Sequence, residues 1–207
     1  MSIPWFYTWS ESVFHKVMLD TVKGFNLIPI QSEASSLKER AELIVNSLKS
    51  TSEPYIVFSA SDIIVRSAVA SEISSIEDDM VFIGGANGLL QMEFLYLKNS
   101  SDVIEFWSSL DETTLEENIS RFKGTWSKFT NKCQTTETWD KISEFNLLVL
   151  VSSGFGKEFD FAEKIFTMAQ HIELQPYMQY VPEDIVPFIY KIQELLFLTH
   201  KEMKKSP

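Results

Sequence analysis

Apolar residues follow two rhythms along the first hundred positions. Short unbroken apolar runs alternate with stretches where apolar residues recur every three or four positions. Ile3 to Tyr7, Phe25 to Ile30, Tyr55 to Phe58 and Met80 to Ile83 are the runs, and each predicts a strand, while Met92 to Leu97 alternates loosely. Ile63 to Val65 resumes in extended style after a polar turn. Val13, Phe14, Val17, Met18 and Val22 share helical spacing between Ser10, a plausible N-cap, and Gly24, a C-cap. Leu37, Ala41, Leu43, Ile44, Val45 and Leu48 lie largely on one face of a second helix between Ser36 and Ser50. Val69, Ile73 and Ile76 predict a short third helix. Pro29, which lacks an N–H, places its strand at a sheet edge.

The second half reads as more helical. Val103, Phe106, Trp107 and Leu110 mark one helix, and Leu115 to about Phe129 predicts another. Phe145 to Val151 predicts a strand, Phe161 to Ile172 a helix, and Pro182 opens a last helix. Ile185, Phe188, Ile189, Ile192, Leu195 and Leu196 make its apolar stripe, a face for packing on the sheet or for a partner. The alternation of strands and helices predicts one α/β domain over residues 1–207: a mostly parallel central sheet flanked by helices, with a helical C-terminal part. Such sheets bind ligands beyond the carboxyl ends of their strands. Three loops are selected by that rule: Thr8 to Ser10, Ser59 to Asp62, and Gly84 to Gly88.

Charge narrows the partners. Lys and Arg number 18 against 29 Asp and Glu, a net charge of −11. That balance argues against nucleic acid and anionic lipid, both of which require basic surface. No apolar run approaches the roughly 20 residues of a membrane span. Met1 to Tyr7 has no basic region ahead of its apolar stretch, so no secretory signal is visible and a cytoplasmic domain is expected. The single cysteine, Cys133, excludes a disulfide scaffold and a thiolate cluster. It lies in a polar segment with no sign of an activated nucleophile. His15, His171 and His200 form no i,i+4 pair. The stretch Ser153 to Lys157 has glycines suited either to a phosphate loop or to a simple strand-to-helix turn.

The informative stretch is Tyr55 to Val65. A buried strand delivers the polar turn Ser59-Ala60-Ser61-Asp62 to the ligand edge before the chain re-enters apolar residues. A carboxylate there can form a turn, or hold a hard divalent cation that neutralises a diphosphate. The order strand, helix, strand, helix, strand, then Ser-x-x-Asp-Ile, resembles the nucleotide-diphospho-sugar transferases, glycosyltransferases of the GT-A fold. There the third strand runs into a Ser-Asp-x-Asp-Ile stretch, the DxD motif, and a later strand reads roughly Asn-x-Gly-Phe. The matching stretches are Ser59 to Ile63 and Gln91 to Leu97, and the likeness covers residues 3 to 110. Ala60 stands at the first Asp of DxD, and Gln91 and Glu93 stand at the Asn and Gly.

The resemblance implies a donor site for a nucleotide sugar, UDP-linked by expectation, in residues 1–110, with the acceptor side in 111–207. Phe6, Tyr7 and Thr8 would face base and ribose. Ser59, Ser61 and Asp62 would face the diphosphate, and Asp62 would hold Mn2+ or Mg2+. The product would be a glycosylated glycan or protein hydroxyl. The general base is a carboxylate, with Asp111, Glu112 and Asp140 as candidates and Glu116 and Glu117 beside them. The loss of one DxD carboxylate leaves a second possibility open, a non-catalytic interaction module on the same fold. A different phosphate-ligand enzyme centred on Ser153 to Lys157 is a third.

Overall fold

The structure, a computed structural model, describes residues 3–9, 12–22, 25–31, 36–65, 69–84, 89–111, 113–129, 132–134, 147–149, 157–170, 172, 174–187 and 191. The chain divides into two compact units, residues 1–132 with 145–149, and residues 133–144 with 150–207.

The first unit is built on β1 (Pro4–Trp9), α1 (Val13–Thr21), β2 (Asn26–Gln31), α2 (Leu37–Lys49), β3 (Tyr55–Ser59), β4 (Ile63–Val65) and α3 (Val69–Ser74). There follow β5 (Met80–Gly84), β6 (Leu90–Lys98), α4 (Ser101–Ser108), α5 (Leu115–Ile119) and β7 (Trp126–Lys128). Six strands form one sheet in the order β2-β1-β3-β6-β5-β7. The β1–β2, β1–β3 and β5–β7 pairs are parallel, while β6 runs antiparallel to both β3 and β5. This is the expected α/β sheet, mostly parallel. β2 lies at its edge, where Pro29 leaves no ladder bond unmade. β4 pairs instead with β9 (Leu147–Val149), within the predicted Phe145 to Val151 strand.

Alternation along the strands builds two buried faces. Phe6, Phe58, Leu95 and Phe82 follow one another across β1, β3, β6 and β5 and join Ile44 and Leu48 of α2 and Val103 and Trp107 of α4 in one core cluster. The opposite face carries Trp5, Val57, Phe94 and Tyr96, all buried. Phe58, Ile63 and Val81, expected inside, are each at most 2% exposed. Ser36 and Glu39 close a reciprocal capping box on α2, with Glu39 N–H donating to Ser36 Oγ and Ser36 N–H to Glu39 Oε2.

Two local expectations are corrected. The N-cap of α1 is Ser12, whose Oγ accepts from His15 N–H, rather than Ser10. The helix expected from Leu115 to Phe129 stops at Ile119, and residues 126–128 form β7. Here a distant acid overrides local periodicity. Asp79 Oδ2 accepts from the N–H of Thr125 at 2.9 Å and its hydroxyl at 3.2 Å, while Oδ1 takes Lys98 Nζ at 2.8 Å. A Cβ on Gly124 would lie 2.5 Å from both Asp79 Oδ2 and the Phe122 ring, so a side chain there would have to displace the carboxylate that anchors the turn into β7.

The Lys98 and Thr125 bonds hold the Asp79 carboxyl below its usual 3.8. A depressed folded pKa stabilises above the unfolded value and is lost as pH falls through the folded one. Asp79→Asn is therefore expected to lower the thermal midpoint at pH 7. The deficit should shrink below about pH 4. A deficit that stays constant down to pH 2 would show that charge is not what anchors β7.

In the second unit, α6 (Lys157–Gln170) begins four residues earlier than expected and buries Ala162, Ile165 and Met168. Between α5 and α6 lies the short β8 (Lys132–Gln134), which contains Cys133. The stripe positions Phe188, Ile189, Ile192, Leu195 and Leu196, the loop positions 153–156, and His171 and His200 lie outside the described residues. Among the described residues no helix is long and apolar enough to cross a membrane.

Candidate active site

β1, β3 and β5 all point the same way, so their carboxyl ends share one edge of the sheet. β1 and β3 are direct neighbours, with Tyr7 opposite Ser59. Thr8, near the end of β1, and the turn Ala60-Ser61-Asp62 leaving β3 therefore lie side by side. Two of the loops expected at the ligand edge are brought together by this register alone.

Each proposed residue occupies a distinct environment there. Phe6 is part of the core and supports β1 from beneath. Ser59 is fully buried, with Oγ accepting the Trp5 indole N–H at 2.8 Å and donating to the Ala60 carbonyl at 2.8 Å. This link joins residues 54 apart in sequence and ties β1 to the end of β3. Tyr7 is 3% exposed, and its hydroxyl lies 3.0 Å from His15 Nε2 on α1. Burial pushes the Tyr7 phenol up and the His15 imidazole down, which favours the neutral form of each. Thr8, Ser61 and Asp62 are half-buried, and Asp62 Oδ1 is shielded from solvent.

β6 closes the other side of this edge. Ala60 N–H donates to the Glu93 carbonyl at 3.0 Å, so Glu93 sits directly across from Ala60. Glu116 of α5 accepts the Leu90 N–H at the start of β6, opposite Gly84 at the end of β5. These two acids were not marked by sequence pattern as edge residues. The available signal was an acid, Glu93, as the only charged residue between Leu90 and Leu97.

The candidate bases separate. The Asp111 carboxylate takes bonds from the Thr113 hydroxyl and N–H, from Arg121 Nη1 at 2.8 Å and from Asn118 Nδ2 at 3.1 Å. Thr113 and Arg121 hold it well below the carboxylate range. Glu117 is spent on the capping box with Thr114. Glu112 and Asp140 lie outside the described residues.

Among the described residues no group of three or more His, Cys, Asp or Glu gathers as a metal cluster. The donor chemistry nevertheless fits a hard cation. Magnesium and manganese keep several water and phosphate ligands, so one or two carboxylates at a diphosphate site suffice. Asp62 supplies one at the strand end.

Comparison with solved structures decides the fold. The chain superimposes on a glycosyltransferase involved in glycosylation of the major capsid of PBCV-1 with a TM-score of 0.57, at 14% identity over 74% of this chain and 95% of that one. The fold is that of GT-A glycosyltransferases. It is also similar to the glycosyltransferase GlyE of Streptococcus pneumoniae TIGR4, with a TM-score of 0.53 and 11% identity over 92% of this chain and 63% of that one. The galactosyltransferase LgtC, solved with donor and acceptor sugar analogues, gives 0.51 at 7% identity over 89% of this chain and 99% of that one. No protein-family model matches the chain, and no curated protein matches it. On this GT-A scaffold the edge formed by Thr8, Asp62 and Glu93 is the carboxyl edge of the parallel strands, where open α/β sheets take their ligands.

Proposed function

We propose that the chain transfers a glycosyl unit from a nucleotide diphosphate sugar, a UDP-sugar, to a hydroxyl of a glycan or protein acceptor. One observation carries this reading: the parallel pairing of β1 and β3 sets Thr8 beside the Asp62 turn at the ligand edge of a GT-A sheet. The donor and acceptor sugar analogues bound by LgtC support a sugar-nucleotide ligand for this fold.

The residues divide the work. The Thr8 hydroxyl and Ser61 meet the donor as hydrogen-bonding groups, and Tyr7, held by His15, sets the wall beneath the base and ribose. Ser59 and Phe6 are buried and hold β1 and β3 in register. Asp62 would hold Mn2+ or Mg2+ at the donor diphosphate. When bound, that cation offsets charge developing on the departing diphosphate. Turnover also needs a carboxylate on the acceptor side to take the hydroxyl proton.

Calorimetry with a panel of UDP-sugars, with and without manganese, tests the reading. The expected result is metal-dependent binding, with slow hydrolysis of the bound donor when no acceptor is present. Binding without hydrolysis favours the non-catalytic module that Ala60 suggests. No binding at millimolar donor overturns the sugar-nucleotide reading.

A further inference from the structure

We propose that Glu93 supplies a second carboxylate to the cation site of Asp62, delivered from β6 in place of the acidic side chain that position 60 lacks. The proposal rests on reading this edge as a nucleotide-diphosphate site. It follows from a state of Glu93 that the apo chain does not satisfy. Its Oε2 is shielded from solvent and has no hydrogen-bond partner among the described residues. Its Oε1 lies 3.7 Å from Arg40 Nη1 of α2, beyond hydrogen-bond length. Both side chains of that pair are about one-third exposed, where an ion pair contributes little. A carboxylate oxygen removed from water without a donor bears its full desolvation cost, and an ion is one of the ordinary explanations for such an atom.

Position makes the cation the fitting occupant. Ser59 is opposite Phe94, so Glu93 is the first residue of β6 beyond the end of β3. Phe94 is fully buried against Trp5, and alternation turns Glu93 to the other face, toward α2. The bond from Ala60 N–H to the Glu93 carbonyl fixes the two residues against each other at 3.0 Å. From Ala60 to Asp62 the chain spans at most about 7 Å. A cation at the strand ends is within reach of carboxylates from both segments.

The two departures from the resembled motifs are thus one event in space. The acid is absent at position 60 and present at position 93, where the motif has glycine, and these positions are hydrogen-bonded neighbours. A hard cation is indifferent to which strand provides its oxygen, provided the oxygen arrives at the same place.

The test is a titration of Mn2+ into the full chain in the presence of UDP, read by electron paramagnetic resonance of the free ion, so no turnover is required. Glu93→Gln is expected to weaken Mn2+ binding at least about tenfold. The metal-free thermal midpoint of this variant should be unchanged or raised. Arg40→Ala, which removes the competitor for Oε1, should tighten Mn2+ severalfold. Adding Ala60→Asp to Glu93→Gln should restore binding. If Glu93→Gln binds Mn2+ like the parent while Asp62→Asn does not, the proposal falls and the Asp62 site stands. If the parent itself takes up no Mn2+ with UDP, both fall. Should Glu93→Gln not fold, Arg40→Ala decides: tighter Mn2+ supports the proposal, and unchanged affinity overturns it.

Discussion

Asp62→Asn abolishes manganese-dependent UDP-sugar binding while the chain stays folded. That is the largest functional effect expected of any single substitution here. Asparagine keeps the shape of the side chain and one oxygen but removes the negative charge that holds a hard cation. The loss should exceed about a hundredfold in affinity, or roughly 2.7 kcal/mol, measured by calorimetry with and without metal. The fold should survive because Asp62 stands in a half-buried turn beyond the end of β3, outside the apolar core. Circular dichroism and the thermal midpoint provide that control. Parental binding by the variant would remove the metal from the reading of this turn. A variant that unfolds would make Asp62 a structural turn former.

For stability the largest effect belongs to Phe82. It is fully buried in β5, between β6 and β7, with its ring 6.2 Å from Trp107 and 6.3 Å from Trp126. Phe82→Ala deletes an aromatic ring from the centre of a sheet and leaves a cavity that flanking strands cannot close without breaking ladder bonds. About 3–5 kcal/mol of unfolding free energy should be lost. Urea denaturation checks this: the midpoint falls while the slope with denaturant is unchanged. Phe82→Leu, which keeps most of the volume, should cost a fraction of that. A loss under about 1 kcal/mol for Phe82→Ala would mean that α4 and β7 collapse onto the void, and that packing there is looser than the burial implies.

What could be read from the chain alone was whatever depends on neighbours a few residues apart. Tyr55 to Phe58 and Met80 to Ile83 are strands because unbroken apolar runs suit segments buried on both faces. Leu37, Ala41, Ile44, Val45 and Leu48 announce α2 because one apolar helical face needs only residues three or four apart. Pro29 marks an edge because it has no N–H to donate. From these the α/β class and the ligand edge followed, with Thr8 and Asp62 on it. The insertion of antiparallel β6 between β3 and β5 was not written in any local pattern. Strand order depends on which distant apolar faces bury one another. For the same reason the spacing from Leu115 onward still resembled a helix where Asp79, 46 residues away, holds Thr125 at the entry to β7. The site divides along the same line. The sequence determined that a carboxylate at position 62 ends a buried strand and that position 60 has none. Only the tertiary structure decided that Glu93 stands against Ala60, because a backbone bond between residues 33 apart forms only once both strands join the sheet.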